Sequence, residues 1–127
     1  MKFKCLLILA IVTAAFQAQA EECSLESVLN VASDKSTTTL QKEVAIDELC
    51  KGKAITFTGK ITDVESSGID LMNFQRKRFV ARLAKEHGCG DLTLLSKGDE
   101  KTLQGILIRY SIIIGKFRVK EAKCVSE

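Results

Sequence analysis

The spacing of apolar residues changes once along the chain. Between Ser24 and Gly52 they recur three and four apart, the helical period; from Lys53 onward they alternate, the period of a strand. Ser24 stands where it can cap a helix that places Leu25, Val28, Leu29 and Ala32 on one face. The polar run Ser33-Asp34-Lys35-Ser36-Thr37-Thr38 interrupts that helix. Thr38 with Gln41 three residues on is a capping box for a second helix through Leu40, Val44, Ile46 and Leu49. Lys51 and Gly52 form its stop signal. The second helix has no clean apolar stripe, so its orientation stays open.

In Ala54–Val64, Ile55, Phe57, Gly59 and Ile61 share one face of a predicted strand. Ala54, Thr56, Thr58, Lys60 and Thr62 share the other. Gly59, on the apolar side in mid-strand, points to a bend or bulge. Glu65–Gly68 is a turn, and residues 69–77 have no decisive period. Alternation resumes at Arg78–Lys85, with Phe79, Ala81 and Leu83 inward and Val80, Arg82 and Ala84 outward. Leu92–Leu95 reads as a short strand, Lys97-Gly98-Asp99 as a turn and Glu100–Gln104 as a helical turn. Ile106–Ile114 is strongly strand-forming, Gly115-Lys116 is a tight turn or a bulge, and Phe117–Val125 is a last strand.

The expected architecture is therefore mainly β with N-terminal helices. A helical hairpin (21–52) precedes a small five-stranded Greek-key barrel of OB type (53–127). Closure would hide the edge of a strand as apolar as Ile112-Ile113-Ile114. An open sheet packed against the two helices is the competing plan.

The first twenty residues stand apart from this domain. Lys2 and Lys4 precede an apolar run of 11, Leu6–Phe16, then Ala18-Gln19-Ala20 and the acidic pair Glu21-Glu22. That is the order of a cleavable secretory signal, and the run is short of the about 20 residues a bilayer span needs. Its removal from 127 residues leaves 107, without a membrane span. The charge balance falls from 19 Lys+Arg against 16 Asp+Glu to 17 against 16, a net of +1. So near-neutral a chain lacks the field that would recruit nucleic acid or an anionic membrane wholesale. Of five cysteines, Cys23, Cys50, Cys89 and Cys124 remain. An even number in a small exported domain reads as two disulfides, with three pairings open. The expected location is the periplasm or the secreted fluid.

Residues 48–64, ELCKGKAITFTGKITDV, resemble the opening of exported bacterial OB domains of the anticodon-binding-like type. The later strand Ser111-Ile-Ile-Ile-Gly115 and the cysteine in the final strand, Cys124, extend the resemblance over most of residues 45–125. The long helical prefix and the absence of a lipobox depart from the pattern. The resemblance implies a fold and not a function, because OB barrels bind nucleic acids, sugars, peptides and ions. In the OB order the third and fifth strands are adjacent, which would let Cys89 meet Cys124. A helical hairpin would bring Cys23 to Cys50.

No catalytic constellation stands out, so no enzyme is expected. His87 has no partner at a meaningful spacing, no four-ligand metal set is present, and no cofactor motif occurs. Arg76, Lys77, Arg78 and Arg82 put four cations within seven residues. With Lys60 on a strand taken to be its neighbour, the expected site for an anionic or polar ligand is Lys60, Arg78 and Arg82, extended by Arg76 and Arg109. The simpler reading of the same charges is a solvated edge that prevents strand pairing. Nucleic acid is disfavoured, since stacking rings do not interleave with the cations and Phe74 is the one spare ring. The favoured function is a non-enzymatic binding module for a protein, peptide or small polar or anionic ligand. A structural or assembly subunit, oligomeric like a toxin B subunit, is the alternative.

Overall fold

The computed structural model describes residues 21–125. The signal-like segment 1–20 lies outside the described residues. Its elements run β1 (Glu22–Cys23), α1 (Leu25–Ala32), α2 (Thr39–Cys50), β2 (Ala54–Glu65), β3 (Gly68–Met72), β4 (Arg78–Leu83), β5 (Glu100–Ser111) and β6 (Lys116–Cys124).

Both helices begin where the capping chemistry places them. Ser24 Oγ accepts the Ser27 N–H at the head of α1. At α2 the Thr38 hydroxyl accepts the Gln41 N–H while the Gln41 side chain accepts the Thr38 N–H. Gly52, at φ 82°, follows the end of α2 in the left-handed region that favours glycine. Only Ile46 and Cys50 of α2 are buried, which accounts for the missing apolar stripe.

Strands β2 to β6 close into a barrel in the order β2-β3-β4-β6-β5, with β5 returning to β2. β4 and β6 run parallel and the other four contacts of the ring are antiparallel. This is a small barrel of OB type preceded by a helical hairpin, as expected, and β1 adds a short parallel pairing to β2. Phe79, Phe117 and Tyr110 lie on one ladder across β4, β6 and β5, and all three point inward. Phe57 reaches them from β2 and stacks on Phe79 with ring centroids 4.7 Å apart. Val28 and Ile46 join the same core, so the hairpin covers the barrel rather than forming a separate unit.

Disulfides join Cys23 to Cys50 and Cys89 to Cys124, with Cα atoms 5.3 and 5.1 Å apart. These are the pairs named from the sequence. The first ties β1 to the end of α2. The second ties the irregular strap 84–99 to the end of β6, where the Cys124 N–H also donates to the His87 carbonyl.

Four local expectations need correction. Leu92–Leu94 is a 3-10 turn and not a strand, because Asp91 accepts from the Thr93 backbone and hydroxyl and caps it. Glu100–Gln104 begins β5 instead of forming a helical turn; its pairing with β2 overrides the local signal. Ile112–Ile114 is not strand but turn; Ile112 is half-buried against the core, and Ile113 and Ile114 are left exposed. Register with β5 runs unbroken through Gly59, and the irregularity in β2 falls between Ile61 and Asp63. Gly59 is there because a Cβ would lie 2.7 Å from the Met72 carbonyl oxygen.

Candidate functional site

The outward side of β3, β4, β6 and β5 can be built row by row from the ladder. One row runs Met72, Arg78, Lys116, Ser111. The next runs Asp70, Val80, Arg118, Arg109. Arg78, Lys116, Arg118 and Arg109 therefore occupy adjoining positions on three neighbouring strands. None of the four makes an ion pair among the described residues. Arg78, Arg109 and Arg118 are exposed, and Lys116 is half-buried. An open hollow beside the β5–β6 turn is lined by Arg109, Ser111, Ile114, Lys116 and Arg118.

Two of the residues expected at the site, Arg78 and Arg109, belong to this cluster. Lys60 does not. The expectation made β2 and β4 neighbours, but β3 lies between them and Met72 separates Lys60 from Arg78. Two strand spacings put the backbones of Lys60 and Arg78 about 10 Å apart. Lys60 also stands opposite Glu100 on β5, which offsets its charge. Arg82 pairs with Gly68, which pairs in turn with Glu65, so it sits at the acidic end of the face. Arg76 is in the β3–β4 turn at φ 63°, outside the strand rows. Lys116 and Arg118 were missed. Their signal was the alternation Lys116, Arg118, Lys120 between inward Phe117 and Val119, a cationic face as regular as that of β4.

The face is bipolar. Across β3 from the cations, Asp63 stands directly opposite Asp70, and Glu65 follows on the same strand end. Burial raises the Asp70 pKa, and the charges of Asp63 and Glu65 raise it further against the opposing pull of Arg78 and Lys116. An open groove between the two halves is lined by Glu65, Asp70, Val80, Arg82 and Arg118.

The remaining candidate groups have structural work. His87 Nδ1 accepts the Cys89 N–H at 3.0 Å and holds the turn leading to the disulfide. Among the described residues, no three His, Cys, Asp or Glu side chains gather into a metal site. No helix among them is long and apolar enough to cross a membrane.

No protein-family model matches the chain, and no curated protein matches it. A solved structure does. It is a crystal structure of a Klebsiella pneumoniae lipoprotein named as a proposed nucleic-acid binder, with TM-score 0.54 and 20% identity. The match covers 89% of this chain and 97% of that one. At this identity the likeness carries the fold. It also corrects the expectation that disfavoured nucleic acid, since a chain of the same fold bears that description. The expectation failed on its premise. It required stacking rings among the cations, and it counted the cations of β4 without those of β6. Backbone phosphates are held mainly by charge, which needs no ring. The chain shares its small barrel fold with this lipoprotein.

Proposed function

We propose that this chain is an exported, non-catalytic OB-type module that binds an anionic ligand on its β4–β6–β5 face. The observation that carries the reading is the placement of Arg109 directly opposite Arg118 on neighbouring strands. Like charges directly opposite are destabilising, and an anion lying across them removes that penalty. Arg78 and Lys116 widen the same positive surface toward the β3–β4 and β5–β6 turns. OB barrels bind oligonucleotides and oligosaccharides on the face of the second and third strands and on the loops after the first and fourth. Here Arg78 lies on the third barrel strand and Lys116 beside the loop after the fourth. The two disulfides suit an oxidising compartment.

The description of the Klebsiella lipoprotein makes single-stranded nucleic acid the first ligand to try. Fluorescence anisotropy with a labelled single-stranded oligonucleotide should show saturable binding that weakens as salt rises. Arg109→Glu with Arg118→Glu should abolish it, and Arg82→Glu should leave most of it. A sulfated polysaccharide as a second probe separates a nucleic-acid preference from general polyanion binding. If neither probe binds the oxidised protein, or the double variant binds both as well as the original, the proposal fails.

A further inference from the structure

Three of the chain's isoleucines occupy a position that turn chemistry disfavours. Residues 112–115, Ile-Ile-Ile-Gly, make the β5–β6 turn. Such turns normally draw on Gly, Asn, Asp, Ser and Pro, which tolerate the backbone and the solvent. Ile112 has a packing role, because it is half-buried against the core. Ile113 has none and is 83% exposed, and Ile114, 55% exposed, only edges the hollow beside Lys116.

The neighbouring turn repeats the pattern. Asn73 Oδ1 accepts the N–H groups of Gln75 and Lys77, which braces the β3–β4 turn. Phe74, inside that brace, is 91% exposed. The two turns sit at the same end of the barrel. The Arg78 N–H donates to the Gly115 carbonyl at 2.8 Å, and Lys77 packs beside Gly115. The barrel thus ends in a braced tip bearing Phe74, Ile113 and Ile114. The two segments that form it, 73–78 and 111–116, contain Arg76, Lys77, Arg78 and Lys116 and no acidic residue.

We infer that this end of the barrel docks on an anionic phospholipid bilayer. Exposed aromatic and aliphatic side chains ringed by Lys and Arg are the composition of a segment that lies in a membrane interface. Each cation near an anionic leaflet adds to the attraction, and the apolar side chains gain by leaving water. A turn that breaks local rules without a packing return is where a functional surface is expected. The apolar groups that test it are separable from the anionic-ligand site: Phe74 and Ile113 lie outside the strand rows and the hollow, whereas Arg78, Lys116 and Ile114 are shared with it.

The test is co-sedimentation of the oxidised chain starting at Glu21 with vesicles of phosphatidylcholine, with and without phosphatidylglycerol. Binding should require phosphatidylglycerol and weaken with salt. The variant Phe74→Ser, Ile113→Ser should bind at least about tenfold less tightly. Its melting curve and its oligonucleotide binding should stay unchanged, which separates this failure from loss of the fold or of the anion site. No partition of the original protein onto anionic vesicles overturns the inference, and so does equal partition of the variant. If the original protein self-associates without lipid and the variant runs as a monomer, the tip is a contact between copies and the inference is likewise overturned.

Discussion

Arg109 on β5 and Arg118 on β6 face each other across an antiparallel ladder, with no carboxylate paired to either among the described residues. Two like charges so placed lower stability by about 0.2–1 kcal/mol. Arg118→Gln should therefore raise the melting temperature slightly while weakening the capture of anions. Differential scanning calorimetry and anisotropy on the same preparation check both signs. A loss of stability would show that Arg118 is held by contacts of its own.

Asp70 predicts an acid-side gain in stability. Its folded pKa is raised above the ordinary 3.8 by burial first and by Asp63 and Glu65 next. The folded protein thus holds this proton more tightly than the unfolded chain does. Asp70 costs stability at neutral pH, and the cost disappears as pH falls through the raised value toward 3.8. Asp70→Asn should stabilise the protein at pH 7 and flatten that part of the profile, as read by urea unfolding at a series of pH values.

Gly59→Ala should be costly although alanine is smaller than any neighbour on the strand. Its Cβ would meet the Met72 carbonyl oxygen at 2.7 Å and a Phe57 ring carbon at 3.0 Å. The first of these is backbone, so β2 and β3 must separate. A loss of about 1–3 kcal/mol is expected in chemical denaturation.

Removing either disulfide should lower stability by about 3–4 kcal/mol, given the length of chain each closes. The bridges span 27 and 35 residues. The effects differ in place. Cys23→Ser with Cys50→Ser should loosen β1 and the hairpin, and Cys89→Ser with Cys124→Ser should free the strap. Amide exchange resolved by residue distinguishes them.

The parts of this fold that sequence reading reached are those with local causes. Ser24, Thr38 and Gln41 announce helix starts through hydrogen bonds to their own neighbours. β2 alternates cleanly because one side meets Phe79 and Phe117 and the other meets water. The parts it missed have causes elsewhere in the chain. Glu100–Gln104 is strand because β2 lies beside it, and Gly105 breaks the apolar alternation there because a Cβ would lie 2.8 Å from Val119. Ile112–Ile114 carries strand-forming side chains in a turn, so composition alone points the wrong way. The site was half legible for the same reason. Arg78 and Arg109 were visible as cations, but their grouping with Lys116 and Arg118 depends on which strands adjoin.

The position of β6 has a consequence for how the molecule is made. It is the last of the described strands in sequence, yet it is inserted between β4 and β5. Until Lys116–Cys124 is delivered, both of those strands present bare hydrogen-bonding edges and Phe117 is missing from the aromatic cluster. A chain emerging from its N-terminus therefore stays unsealed until β6 has been delivered. A chain cut short after Gly115 should be an aggregating species rather than a smaller folded one.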